Sequence, residues 1–321
     1  SSNSEEAYLP GEGRKLLAFS DSRQDAAFFA PYLERTYNQI MQRRLIWKMI
    51  VEDEDSASGR LRLKDMVSRL QRQTEQVGLF TQSESYDDRK KRMLTWLILE
   101  LVTIDRRISL EGLGMVYFRL VRPDRWRPPE FFLQDPWNLT PAQAWQVFEL
   151  LLDTLRIQSC IQFPPNVDPR SEEFEPRNRE FFVRQDGSEP KKGVFSWIPQ
   201  RGSNRRLDLL SKLLRKRQPG LPEDQIRNLA LEMLKHLWDK IIMEPIWKQH
   251  LPARTLPGLG VLHQLSYEFW EVVPVELCGL PVYVCPKCRS ISYTNLEGIC
   301  PTFKCDGEIQ VLDKNTHSWQ E

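Results

Sequence analysis

The residues best suited to chemistry are cysteines in the last fifth of the sequence. Cys285 and Cys288 form a CxxC pair, and Cys300 and Cys305 form a second pair after an eleven-residue spacer. Cysteines clustered at short spacing, in a chain that begins without a secretory signal, favour metal binding over disulfide bonds. Two thiolate pairs on turns can converge on one tetrahedral ion and close its coordination sphere. The spacing therefore predicts a structural Zn²⁺ site held by these four residues.

The alternative for the same residues is a small β unit that packs four reduced cysteines without a metal. Cys278 and Cys160 stand outside the two pairs. Cys278 lies in an apolar Leu-Cys-Gly-Leu string, so we interpret it as a core residue and not as a fifth ligand.

A run of basic residues is the second candidate site. Asp208 is its only acid, and Trp197 lies nearby in the sequence. Phosphate contacts need a high density of positive charge, and aromatic rings can stack on unpaired bases. The pattern predicts a nucleic-acid surface, and a solvated helix face that balances acids elsewhere is the alternative. The run comprises Arg201, Arg205, Arg206, Lys212, Arg215, Lys216 and Arg217.

A third candidate site follows residues 15–19, a short apolar stretch typical of a buried strand. Ser20, Ser22 and Arg23 come directly after it, where a helix over residues 24–39 is predicted to begin. Free backbone amides, the helix dipole and a cation together favour a phosphate at such a position. An ordinary helix cap with a solvated arginine is the alternative.

The composition places these candidates in a globular protein. The chain has 321 residues, 40% hydrophobic and 28% charged, with a formal net charge of +1. This length predicts about two domains, and the near-zero net charge excludes a polycationic coat protein but permits a local basic groove. The most apolar stretch, residues 93–104, is too short to cross a bilayer, so we expect a cytoplasmic protein with no membrane partner.

The hydrophobic periodicity predicts a mainly α fold with short β elements, an α+β class. Helices are expected over residues 40–50, 61–70, 87–104, 140–157, 205–217 and 222–243. A strand is expected at residues 115–118, a strand or hairpin over residues 260–272, and a hairpin over residues 180–198. Helices followed by a hairpin suggest a winged-helix-like region, and the cysteine pairs suggest a zinc-ribbon-like β unit.

One string resembles a known family. Residues 15–27 read KLLAFSDSRQDAA, which is similar to motif IV of the second RecA-like lobe in large bacterial superfamily-2 DEAD/DEAH-box helicases. Residues 106–114, 196–199 and 204–206 resemble strings in the long insertion of that family, and the two cysteine pairs fit the same lobe. The resemblance implies that Ser20, Ser22 and Arg23 face the nucleic-acid backbone.

The resemblance divides the chain into four segments. Residues 1–39 are the strand–helix start of an incomplete RecA-like lobe, and residues 40–137 are a helical insertion. Residues 138–276 form the helical, winged-helix-like region, and residues 277–321 form the four-cysteine module.

The parts needed for ATP hydrolysis are missing from the sequence. It contains no GxxxxGK[ST] phosphate loop, no DExH box at a strand end and no arginine finger after the cysteines. We therefore expect a non-catalytic accessory region of an ATP-dependent helicase, with ATP and Mg²⁺ bound only in the full-length enzyme. Its expected partners are DNA or RNA and the remaining helicase lobes of the same polypeptide.

A protein–protein docking module is the alternative function. The Trp- and Pro-rich connector over residues 123–137 could expose an apolar patch to a partner protein. Binding through the basic run would weaken steeply as salt rises, whereas an apolar docking surface would respond little.

Overall fold

The computed structural model describes residues 23–80, 83–103 and 108–312, with side chains from residue 33 onward. Ser20 and Ser22 lie outside the described residues, and Arg23 is the first residue of the first helix. The fold is α+β, as predicted, with helices and short strands that form small sheets. The helices are α1 (Arg23–Glu52), α2 (Glu54–Ala57), α3 (Met66–Gln76), α4 (Tyr86–Leu101), α5 (Glu130–Leu133), α6 (Pro141–Arg156), α7 (Arg205–Arg217) and α8 (Glu223–Met243).

The strands are short and form four separate sheets among the described residues, in the orders β1-β9-β2, β3-β8, β5-β4-β7-β6 and β11-β10-β12. Their bounds are β1 (Leu61–Arg62), β2 (Val116–Leu120), β3 (Ile161–Gln162), β4 (Phe182–Arg184), β5 (Val194–Ser196), β6 (Ala253–Leu256), β7 (Gly260–His263), β8 (Leu265–Ser266), β9 (Trp270–Pro274), β10 (Tyr283–Val284), β11 (Ile291–Ser292) and β12 (Gln310–Val311).

Local sequence rules account for the helices that position the site. Thr140 caps α6 in a reciprocal capping box with Gln143, and Pro141 occupies the first turn. Asn204 caps α7 by accepting a hydrogen bond from the amide of Leu207, so α7 has the predicted bounds. The predicted helices over residues 24–39 and 40–50 are a single helix, α1, which continues through Pro31.

The predicted hairpin over residues 180–198 is wrong in direction, because β4 and β5 pair in parallel. The chain reverses before β5, in a tight turn where Glu189 and Val194 exchange backbone hydrogen bonds. Gly193 permits this turn: it has φ of 73°, and a Cβ there would lie 2.5 Å from the carbonyl oxygen of Glu180. Because the chain turns back twice between β4 and β5, strand β5 runs in the same direction as β4.

One hydrophobic core runs from Leu45 to Ile299. Strand β9 lies between β1 and β2 and pairs antiparallel with both, so the segments before and after residue 137 share a sheet. These two segments therefore fold around a common core across the predicted boundary. The β6–β7 hairpin follows α7 and α8 but joins β4 and β5, and the winged-helix interpretation stays a prediction.

A buried arginine ties the helices to this sheet. Arg156 ends α6, and its guanidinium donates to both carboxylate oxygens of Glu111 and to the Leu101 carbonyl oxygen at the end of α4. The same guanidinium lies 5.2 Å from the ring centroid of Phe118 in β2 and 5.4 Å from that of Trp270 in β9. A charge inside a protein is tolerated when it is paired and fully hydrogen-bonded, and Arg156 meets both conditions.

Glu149 is a second buried ionisable residue, on the face of α6 that packs against β2. Its Oε1 accepts a hydrogen bond of 3.1 Å from the Leu120 amide. Burial raises the pKa of the Glu149 carboxyl to about 7, against the hydrogen bonds from Tyr117 and Leu120, which lower it. Because the folded state binds this proton more tightly than the unfolded chain, the resulting stabilisation is complete below pH 4.5 and is lost as pH rises to about 7.

Glu149→Gln should remove this pH dependence. A pKa shift of this size corresponds to about 3 kcal/mol, so the free energy of unfolding should fall between pH 4.5 and 7.5 by up to about that amount more in the wild type than in the variant. Urea denaturation at both pH values measures the difference. Identical pH dependence in the two proteins would show that Glu149 is ionised in the folded state.

Candidate metal centre

The first cysteine pair lies on a turn between β10 and β11. The Cys285 amide donates to the Ser290 carbonyl oxygen over 3.0 Å, and the Arg289 amide donates to the Cys285 carbonyl oxygen over 2.7 Å. Arg289 has φ of 57°, in the left-handed region. This backbone brings Cys285 and Cys288 to the same side of the turn.

The second pair lies on a turn before β12. The Cys305 amide donates to the Thr302 carbonyl oxygen over 3.1 Å, and the Cys300 amide donates to the Gly307 carbonyl oxygen over 3.3 Å. Lys304, which lies between the two cysteines, has φ of 61°, in the left-handed region. Each pair is therefore held on its own hydrogen-bonded turn, and the second turn is longer than the first.

The four cysteine sulfurs lie close together. All four Sγ atoms lie within 4.8 Å of one another. The Sγ atoms of Cys285 and Cys305 are 3.7 Å apart, and those of Cys288 and Cys300 are 3.5 Å apart. A tetrahedral ion with metal–sulfur bonds of about 2.3 Å places its sulfurs about 3.8 Å apart. The cluster could therefore hold a metal ion, and the predicted ligand set is brought together in full.

Hydrogen bonds to sulfur stabilise the thiolates that a metal needs. The backbone amide two residues after the cysteine donates to the sulfur of Cys288, Cys300 and Cys305. Burial raises the pKa of the Cys288 thiol, but the hydroxyl and amide of Ser290 lower it, with a net result of about 6. At Cys300 and Cys305 burial outweighs the hydrogen bonds, and the pKa of each thiol is raised. Three of the cysteines are buried and Cys288 is exposed, so the cluster opens to solvent on one side.

Supporting residues of the cluster were not identified from the sequence. The Ser290 hydroxyl lies 2.9 Å from the Cys288 sulfur and accepts a hydrogen bond of 2.8 Å from the Thr302 hydroxyl. A Cβ on Gly307 would lie 2.6 Å from the Cys285 sulfur, which only glycine avoids. The sequence does contain a signal for these supporting residues, because Ser290, Thr302 and Gly307 each lie two positions after a cysteine.

Cys278 is not part of the cluster. Its Sγ donates to the Ser56 carbonyl oxygen over 3.4 Å, and the residue is half-buried and not fully in the core. Cys160 is fully buried in the hydrophobic core, and burial raises the pKa of its thiol far above the ordinary value.

The basic helix α7 contacts the four-cysteine unit, which comprises the two cysteine turns and strands β10, β11 and β12. Lys212 Nζ donates to the carbonyl oxygens of Cys300 and Thr302 over 3.3 and 2.7 Å. Asp208 on the same helix accepts a hydrogen bond of 3.2 Å from the Lys304 amide. Further along α7, Lys216 pairs with Glu308 and Arg217 with Glu297. Much of the predicted basic run therefore binds this unit.

Two residues of the expected nucleic-acid surface are inside the fold. Arg206 is 2% exposed and donates to the carbonyl oxygens of Ser196 and Trp197 and to the Thr154 hydroxyl. Trp197 is fully buried, and its Nε1 donates to the Leu234 carbonyl oxygen, so it offers no ring for stacking. Both are needed to join α7, α8 and β5.

The remaining members of the run are closer to solvent. Arg201 is exposed and Arg205 is half-buried. Arg215 forms an exposed ion pair with Glu223, at 2.7 Å. Such pairs contribute about 0–1 kcal/mol and can exchange partners readily.

The Trp- and Pro-rich connector buries most of its aromatic residues, and only Phe131 is half-buried. Trp126, Phe132 and Trp137 are buried at 2%, 0% and 4% exposure. The exposed residue Arg122 lies over the Trp126 ring at 5.1 Å from the centroid. The rings expected to form an apolar docking patch belong instead to the core.

The described part of the chain has no helix that is both long and apolar enough to cross a membrane. Comparisons with protein-family models, with curated proteins and with solved structures find no match.

We expect the isolated chain to bind a single metal ion and to lose the order of the four-cysteine unit when that ion is removed. The unit has little apolar core of its own, since Cys285, Cys300 and Cys305 pack with only Ile309 and Tyr283 in their cluster. Limited proteolysis before and after chelation should reveal new cleavage between residues 281 and 312.

Cysteine variants provide the control for this experiment. Cys305→Ser should abolish stoichiometric metal binding, whereas Cys278→Ser should retain it, as measured by elemental analysis of the purified proteins. Unchanged proteolysis after complete chelation would contradict a structural metal.

Gly307→Ala should weaken the metal site without removing a ligand. The added Cβ would meet the Cys285 sulfur at 2.6 Å, so the turn must shift and distort the sulfur positions. We expect metal affinity to fall about tenfold or more in competition with a chromogenic chelator. Gly220→Ala is the matched control, because nothing lies within 4 Å of its Cβ position. Equal metal affinities in the two variants would show that a Cβ at residue 307 does not disturb the Cys285 sulfur.

Proposed function

We propose that this chain is an accessory region of an ATP-dependent nucleic-acid helicase, which contacts the backbone of DNA or RNA. ATP hydrolysis, with its Mg²⁺, would take place on other lobes of the same polypeptide. The motif IV-like string at residues 15–27 supports this assignment, and Ser20, Ser22 and Arg23 would then contribute to the nucleic-acid surface.

The proposed metal is Zn²⁺, in a structural role. Zinc has no redox chemistry of its own and prefers tetrahedral coordination, which four thiolates provide. The closed set Cys285, Cys288, Cys300 and Cys305 leaves no position for a substrate or an activated water. Zinc would hold the two turns together and thereby hold their contacts with Lys212 and Asp208 on α7.

The observation that carries the proposal is a cationic surface made jointly by α7 and the four-cysteine unit. Arg205 from α7 and Lys304 from the second cysteine turn both lie over the same ring, that of Phe303. Arg201, four residues before Arg205 in the chain, is exposed, and so is Lys304. Arg215 adds a cation whose exposed ion pair with Glu223 can give way to phosphate.

Salt-dependent binding tests this proposal. Fluorescence anisotropy with labelled single-stranded and duplex DNA and RNA should detect binding to the metal-loaded chain at low salt. Arg201→Glu/Arg205→Glu should weaken it at least tenfold and make the dependence on log salt shallower by about 1 for each phosphate that is no longer bound. Lys64→Glu/Lys91→Glu changes the charge equally at exposed lysines elsewhere and should have little effect.

The same titration separates nucleic-acid binding from protein docking. Absence of binding to every strand at low salt would overturn the proposal and favour a docking module. Equal losses in both double variants would point to non-specific attraction by net charge.

A further inference from the structure

Phe303 stands at the tip of the second cysteine turn. The turn is closed by the hydrogen bond from the Cys305 amide to the Thr302 carbonyl oxygen, and Lys304 follows Phe303 in the left-handed conformation. Phe303 is half-buried, so part of its ring remains in solvent. A metal bound by Cys300 and Cys305 would fix the ring from both sides of the turn.

Two cations flank this ring. The Arg205 guanidinium carbon is 6.0 Å from the ring centroid, and the Lys304 ammonium nitrogen is 5.4 Å from it. Both distances are within the range of cation–π attraction. Lys304 is exposed at the end of a flexible side chain, so its ammonium group can leave the ring at little cost.

The acids close to this group are already compensated. Asp208 lies 2.6 Å from Lys212 Nζ and also accepts a hydrogen bond from the Lys304 amide. Asp306 pairs with Lys287, and Glu308 pairs with Lys216. A phosphate approaching Arg205 and Lys304 would therefore meet cations and neutralised carboxylates.

We propose that Phe303 is a stacking platform for an unpaired base of single-stranded nucleic acid, with the adjoining phosphates held by Arg205 and Lys304. This inference rests on the proposed function and identifies the strand type that the surface takes. An aromatic ring with two cations beside it matches alternating bases and phosphates, because every base has a π-face that can stack. The platform replaces the buried Trp197 as the aromatic partner of the basic run.

Removing the ring should weaken binding to single strands specifically. We expect Phe303→Ala to bind a single-stranded oligonucleotide about 5- to 100-fold more weakly than the wild type, and Phe303→Trp to restore the affinity. The dependence on salt should stay unchanged in both variants, because Arg205 and Lys304 still bind the phosphates. The wild type should bind duplex of the same sequence more weakly than it binds single strand. Both variants should bind that duplex with the same affinity as the wild type.

An abasic oligonucleotide provides the decisive comparison, since it keeps the phosphates and lacks the bases. Wild type and Phe303→Ala should bind it with equal affinity. Tyr86→Ala, at an exposed aromatic residue that begins α4, is the matched control and should bind every strand as the wild type does. Metal content is measured in each variant, and Phe303→Leu takes the place of Phe303→Ala if the latter loses metal.

The outcomes distinguish a failure of the stacking proposal from a failure of the proposed function on which it rests. If the wild type binds strands and Phe303→Ala binds single strand equally well, the platform is refuted and the helicase proposal stands. If the loss of affinity is the same on the abasic strand, Phe303 does not stack on a base. If the wild type binds no strand but binds anionic phosphatidylserine vesicles or polyglutamate, both proposals are overturned.

Discussion

The meeting of four cysteine sulfurs within 4.8 Å is the constraint on which the last part of the fold depends. Few apolar residues accompany the sulfurs, so the two turns have little hydrophobic reason to approach each other. A shared metal ion would supply that reason, because a cation favours four thiolates that would otherwise repel. The turns then offer the carbonyl oxygens of Cys300 and Thr302 to Lys212, which fixes the unit on α7.

Charge that is evident in the sequence is divided between the interior and the surface. Arg156 and Arg206 are both buried, and their guanidinium groups bind backbone carbonyl oxygens where helices and strands end. Lys212 and Arg217 are used in joining α7 to the four-cysteine unit. The number of basic residues in a run therefore overestimates the charge that a polyanion can contact. Only basic side chains that are not used in these internal bonds contribute to that charge.

The aromatic residues follow the same division. Trp126 and Trp197 are buried because a large ring gains more free energy in the core than at the surface. Phe303 is kept partly exposed because it sits on a tight turn between Cys300 and Cys305 and not under a hydrophobic layer. The surface that could recognise a nucleic acid thus arises at the junction of two units, where α7 supplies Arg205 and the cysteine turn supplies the ring.

Features that depend on near neighbours could be predicted from residue type and spacing: the set of four cysteines, the capped start of α6 and the bounds of α7. Turn and cap hydrogen bonds join residues a few positions apart, so local patterns are sufficient to predict them. The three-dimensional structure was needed to reveal the parallel pairing of β4 with β5, the burial of Arg206 and the seating of the cysteine unit on α7. Such contacts join residues as far apart as the 88 positions between Lys212 and Cys300, and they depend on which surfaces the whole chain buries together.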